Sequence, residues 1–188
     1  MKRRNLASQI LAALQDTPVV YLQGPRQAGK STLAQALRHN GHDADYFTLD
    51  DGATLAGAQS DPEGFIANLP ERVVLDEVQR VPELFRAIKR AVDARRMPGR
   101  FLLTGSAQAL VLPKLSESLA GRMEVLTLWP FSQGEIEGCR EGFVDACFAA
   151  EFTPGSLRGV SWPALAERIV AGGYPEAVSR TDARRRQA

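Results

Sequence analysis

The chain has 188 residues, a formal net charge of +1, 44% hydrophobic residues and two cysteines. That length suits one domain with a small appendage, and so balanced a charge makes no global electrostatic case for nucleic acid or a membrane surface. No apolar run approaches the roughly 18–20 residues that span a bilayer, and Cys139 and Cys147 are too few and too far apart for a zinc framework, so reduced thiols are expected.

The opening stretch "MKRRNLASQILAALQD" sets basic residues before apolar ones, the order of a secretion signal. Polar Asn5, Ser8, Gln9 and Gln15 interrupt it, however, while Leu6, Ile10, Ala13 and Leu14 share one helical face. An amphipathic first helix and a cytoplasmic protein are therefore expected. Next, "PVVYLQ" (18–23) is an apolar, β-branched run that reads as a buried strand.

It leads into "GPRQAGKST" (24–32), where Gly24 and the Gly29-Lys30-Ser31 run have the spacing of a phosphate-binding loop. Glycines at 24 and 29 allow backbone angles and a close approach that a side chain would block. The loop amides can then turn inward on an anion, Lys30 can reach the β- and γ-phosphates, and Ser31 can ligate Mg²⁺. Every residue of the loop, Gly24, Pro25, Arg26, Gln27, Ala28, Gly29, Lys30, Ser31 and Thr32, is a candidate nucleotide contact. "STLAQALRH" follows at helical spacing, which puts the phosphates of a nucleotide at a helix N-terminus. His39 and His42 flank a glycine turn and read as surface polar residues, since no third metal ligand stands near them.

A second strand is expected at "ADYFTLDD" (44–51), then a helix and loops broken at Pro62 and Pro70. "RVVLDEVQ" (72–79) is a short apolar strand ending in Asp76 and Glu77. A carboxylate at such a strand end can hold Mg²⁺, and a second one can polarise an attacking water. "PELFRAIKRAVDARR" (82–96) is amphipathic, with helix-dipole-compatible ends. "GRFLLTGSA" (99–107) is a fourth strand, whose polar end offers Thr104 and Ser106 as contacts to a γ-phosphate or its water. A broken helical segment (110–122) and a fifth strand (123–132) come next. The helical segment ends, just before that strand, in Arg122, whose guanidinium could stabilise charge on a γ-phosphate, in cis or from a neighbouring subunit.

Strands alternating with helices imply an α/β fold with a parallel sheet covered on both faces. Past residue 137 the pattern weakens to short helices, with Ser161 as an N-cap and Gly172 as a stop. The expected division is an ATPase core over 1–137 and a helical lid or linker over 138–188.

In this order and spacing, "GPRQAGKSTL", "VVLDEVQ", "LLTGSAQ", "SLAGRMEVLTLWPFS" and "GGYPEAV" resemble the AAA_14 family of bacterial and archaeal AAA+ ATPases. The resemblance spans roughly residues 5–178. It implies a P-loop NTPase three-layer sandwich with a five-stranded parallel sheet of the additional-strand kind, plus a short partial helical lid. It also implies that the acidic strand lies beside the P-loop strand. Carried over by position, Lys30 and Ser31 bind phosphate and metal, Asp76 and Glu77 are the acidic pair, Thr104 or Ser106 is the polar sensor, and Arg122 is the arginine finger. Members often continue past "GGYPE" into a second domain, DUF4143, so a core cut short before that domain is expected.

The function implied is Mg²⁺-dependent hydrolysis of ATP, with turnover switching a conformation or an assembly, and a homo-oligomer in which Arg122 acts in trans. Two other readings stay open. One is a non-catalytic ATP-holding module that recruits protein or DNA, with "KRR" (2–4) and "RRR" (184–186) as the basic runs that would touch phosphates. The other is a small-molecule P-loop kinase, against which the acidic pair and Arg122 argue for water as the acceptor.

Overall fold

The computed structural model describes residues 2–106, 119–149 and 160–180. Its contacts divide the chain into two compact units, Leu6–Trp129 and Met1–Asn5 with Pro130–Ala188.

The larger unit is built on five parallel strands: β1 (Val19–Gly24), β2 (Asp45–Thr48), β3 (Val73–Asp76), β4 (Phe101–Ser106) and β5 (Met123–Thr127). They lie in the order β2-β3-β4-β1-β5. The acidic strand is therefore not beside the P-loop strand as expected: β4 is paired with both and separates them. Hydrophobic patterning could not decide this, because both faces of every inner strand are apolar and neighbours are chosen by crossover, not by period.

Alternation along the strands supplies two cores. On one face Val20 and Leu22 of β1, Val74 of β3 and Leu102 of β4 pack against helices α1 (Leu6–Asp16) and α2 (Lys30–His39), which contribute Ile10, Ala13, Leu14, Leu33, Ala34 and Leu37. On the other, Val19, Tyr21, Val73, Leu75, Phe101 and Leu103 meet α3 (Gly52–Ser60), α4 (Pro62–Ala67) and α5 (Leu84–Ala94). The expected break at Pro62 is where α4 begins, with Pro62 in its first turn and the Asp61 side chain accepting from the Gly64 amide at 2.9 Å. In α5 Leu84, Phe85, Ile88 and Val92 are all buried, each worth about 1.5–3 kcal/mol relative to exposure, and Ala91 on the same face is half-buried.

Two histidine readings divide. His39 is exposed, but His42 is only 5% exposed, and its Cε1 lies 3.5 Å from where a Cβ on Gly99 would stand. Its Nε2 is buried with no hydrogen-bond partner. Burial, then Arg72, hold the imidazole pKa below its ordinary value, with Asp43 opposing. It is a core residue that the glycine turn tucks in, not a surface one.

The smaller unit carries α6 (Gln133–Glu137), α7 (Phe143–Phe148), α8 (Trp162–Ala171) and α9 (Pro175–Ser179). Ser132 and Glu135 form a capping box at α6. Glu135 also accepts from the Asn5 backbone at 2.6 Å and pairs with Arg4 at 3.3 Å, both side chains under a tenth exposed. The guanidinium of Arg4 sits 4.4 Å above the Phe131 ring. These bonds tie residues 130–137 to the N-terminal five within the smaller unit. Of the first basic run, Arg4 is buried and exposed Lys2 donates to the Ile136 carbonyl at 2.7 Å, while Arg3 is exposed. Residues 184–186 lie outside the described residues. As expected, Ser161 caps α8 and Gly172, at φ 62°, ends it. Cys139 and Cys147 are free and exposed. Among the described residues no helix is long and apolar enough to cross a membrane.

Candidate functional site

All five strands point their C-terminal ends the same way, and the loop after β1 sits at that edge. A Cβ on Gly24 would meet the Leu128 carbonyl oxygen at 2.2 Å, a backbone atom that cannot step aside. Gln27 (φ 63°) and Gly29 (φ 96°) both take left-handed conformations, and residues that alternate in hand turn successive amides into one concavity. Helix α2 starts at once after Gly29 with no side-chain cap on its first turn, so its N-terminal amides face the same concavity.

Lys30 is buried, and its ammonium donates to the carbonyls of Gly24 at 3.1 Å and Pro25 at 2.9 Å. Burial lowers its pKa from the ordinary lysine value, against an upward pull from Glu77 and Asp76 and with a further push down from Arg26. The charges of the loop and of the acidic strand thus act on one another across the site.

Asp76 ends β3 at 4% exposure. Its Oδ1 accepts from the Ser31 hydroxyl at 2.9 Å and from the Thr104 hydroxyl, and its Oδ2 accepts from the Tyr46 hydroxyl at 2.7 Å. Three hydroxyls therefore fix both carboxylate oxygens. Burial, followed by the bond to Asp76, pushes the Tyr46 phenol up to about 12, so it stays a donor at neutral pH. Tyr46 belongs to β2, within the strand expected over 44–51. It is half-buried, and nothing in its spacing along the strand says where the hydroxyl points.

Glu77 follows in the left-handed region at φ 59°, ψ 39°, which for a residue with a Cβ costs roughly 1–2 kcal/mol. Its amide donates to Thr104 Oγ1 at 3.2 Å, and its carboxylate accepts from the Gln79 amide. The turn lifts the Glu77 side chain away from the strand direction and into a cleft of about 560 Å³, lined also by Arg26, Asp50, Gln79 and Arg80. Arg80 spans the rim, donating to the Leu49 carbonyl and the Asp50 carboxylate, each at 2.7 Å.

The two hydroxyls at the end of β4 have different work. Thr104 is fully buried and donates to Asp76 while accepting from Glu77, so it orients the acidic pair. Ser106 accepts from Gln79 at 3.2 Å, which leaves its own proton to donate.

Arg122 stands apart. It precedes β5 where Met123 is in register with Val19, the first residue of β1. The P-loop begins at the other end of β1, five residue steps or about 16 Å away. Arg122 pairs there with Asp93 and donates to the Ala120 carbonyl at 3.0 Å. Its position at the far end of β1, held by Asp93, does not bring it to the loop of its own chain. The helical segment expected over 110–122 lies mostly outside the described residues.

The donor set can be tested against Mg²⁺. Among the described residues no cluster of three His, Cys, Asp or Glu could hold a metal ion on its own. A hydroxyl and a carboxylate 2.9 Å apart at the mouth of an amide-lined loop suit a cation that keeps most of its waters and takes phosphate oxygens as further ligands. Ser31 and Asp76 fit that role.

A family model described as an AAA domain, AAA_14, matches residues 16–137. Uncharacterized proteins of Mycobacterium bovis and Mycobacterium tuberculosis are each 40% identical over 129 residues, which is 68% of this chain and 29% of theirs. The chain thus spans under a third of the length of these curated relatives. Among solved structures, a Walker-type ATPase of Pyrococcus abyssi aligns with a TM-score of 0.47 and 15% identity, over 82% of this chain and 64% of that one.

Proposed function

The chain belongs to the AAA_14 family of AAA domains and has a P-loop NTPase fold, and on that footing we propose that it binds ATP and hydrolyses it with Mg²⁺ to ADP and phosphate. One observation carries the reading: Ser31, Asp76, Thr104 and Glu77 are linked by hydrogen bonds, so a metal-holding pair and a cleft-facing carboxylate are set together beside the loop.

In this reading the amides of residues 24–31 and the Lys30 ammonium hold the phosphates. Bound between Ser31 and Asp76, Mg²⁺ would neutralise charge on the β- and γ-phosphates. The Glu77 carboxylate accepts a proton from a water as the water oxygen bonds to the γ-phosphorus and the bond to the β-phosphate oxygen breaks. Ser106 donates toward the γ-phosphate, and Thr104 keeps Asp76 and Glu77 aligned.

Turnover switches conformation or assembly, with Arg122 of one copy reaching the nucleotide of the next. The distance of Arg122 from its own loop favours that arrangement. In such an assembly it exchanges Asp93 for phosphate. ATP turnover per molecule should therefore climb with protein concentration, and Arg122→Ala should remove the climb. ATP bound tightly with no turnover at any concentration would leave the non-catalytic module as the better account.

A further inference from the structure

Gln79 sits two residues beyond Glu77 in the short 3-10 turn Val78–Arg80. Its Nε2 donates both to the Glu77 carboxylate and to Ser106 Oγ, the latter at 3.2 Å. The opposite amide orientation would set an oxygen against a carboxylate, so the donor assignment follows from charge. Gln79 Oε1 is buried and has no hydrogen-bond partner. It lies 2.7 Å from where a Cβ on Gly105 would stand, a position also only 2.3 Å from the Tyr21 hydroxyl. The glycine leaves the space that the Gln79 amide occupies.

This arrangement is expensive. A buried acceptor without a donor is destabilising, and an apolar side chain of the same shape would avoid it. The left-handed Glu77 adds its own strain two residues away. Unfavourable terms gathered at one point of a cleft call for an explanation other than stability. The amide nitrogen supplies one, because it ties the Glu77 side chain to Ser106 at the end of β4.

We infer that Gln79 is a positioning residue for Glu77, its amide gripping one carboxylate oxygen and anchoring it to Ser106 so that the other faces the cleft. The inference rests on the hydrolytic reading above and deepens it. It also joins the two groups that would sense the γ-phosphate and activate water, Ser106 and Glu77, through one side chain.

The test compares Gln79→Ala, Gln79→Asn and the isosteric Gln79→Glu in steady-state ATP hydrolysis, with binding of a fluorescent ATP analogue measured alongside. Gln79→Ala should lower kcat about 10–100-fold, the range set by a base about 1 Å out of place, while KM and nucleotide affinity stay within about twofold. Gln79→Glu keeps the shape but swaps the donor for a second carboxylate, and should be worse than Gln79→Ala near neutral pH. Its rate relative to wild type should rise as pH falls and the new carboxyl takes a proton it can donate. Gln79→Asn, a shorter donor, should recover part of the rate. A side chain that only fills space predicts the reverse order, with glutamate milder than alanine and no pH effect, and that order would overturn the inference. So would wild-type kcat in Gln79→Ala, which would leave the hydrolytic reading standing. A wild type that binds nucleotide without turnover would overturn both.

Discussion

Thr104→Val is the sharpest perturbation of the site that leaves its shape intact. Thr104 is fully buried, and its hydroxyl makes two bonds, one donated to Asp76 and one accepted from the Glu77 amide. A bond to a charged acceptor is worth about 1.5–3 kcal/mol, and a part-buried amide left without its acceptor costs about 1 kcal/mol at the low end of the range. Valine opens no cavity, so the sum of about 3 kcal/mol is a hydrogen-bonding cost. For a chain of this length that lowers the unfolding midpoint by about 6–12 °C. Thr104→Ser keeps the hydroxyl and loses one buried methyl, about 1 kcal/mol. Thermal unfolding by calorimetry should therefore rank wild type, serine and valine in that order, with valine well separated. ATP turnover should fall further in valine than in serine. A valine variant as stable as wild type, or a serine variant as damaged as valine, would refute the claim that this hydroxyl organises the acidic pair.

Lys30→Ala should abolish ATP binding in a filter or fluorescence assay, and unchanged affinity would remove the loop as the phosphate site. Tyr46→Phe deletes one of the three hydroxyls that fix Asp76; the Mg²⁺ concentration for half-maximal activity should rise about tenfold while metal-free nucleotide affinity holds, and an unmoved Mg²⁺ curve would contradict the role. His42 has a native pKa below that of the unfolded chain because of burial and Arg72. As pH drops below about 6.5 the unfolded state takes a proton that the native state refuses, so stability falls by up to about 1.4 kcal/mol per pH unit until the lowered native pKa is reached. The non-titrating His42→Phe should flatten the dependence of the unfolding midpoint between about pH 7 and 5, and an unchanged slope would show that His42 is not its source.

Much of this architecture is legible in the sequence because it is local. The glycine, lysine and serine spacing at 24–31 fixes a loop, and an apolar run ending in Asp76 and Glu77 marks a strand end. What escapes is what depends on partners far along the chain. Strand order hides because β1, β3 and β4 all read as buried on both faces. Tyr46 and Asp76 are 30 residues apart and Arg4 and Glu135 are 131 apart, so neither pairing leaves a periodic trace. The left-handed turn at Glu77 hides for another reason: glycine announces that conformation, and glutamate does not. The capping box at Ser132 and Glu135 is different, since its S-x-x-E spacing is itself a sequence signal. That signal marks a helix start before residue 137, close to where the two units divide.

In the proposed function one cleft both holds ATP and hydrolyses it through Glu77. The most direct test is Glu77→Gln, assayed for equilibrium ATP binding and for Mg²⁺-dependent phosphate release on the same preparation. Wild-type affinity is expected, with turnover reduced by about 10²–10⁴. Phosphate release at the wild-type rate would contradict it.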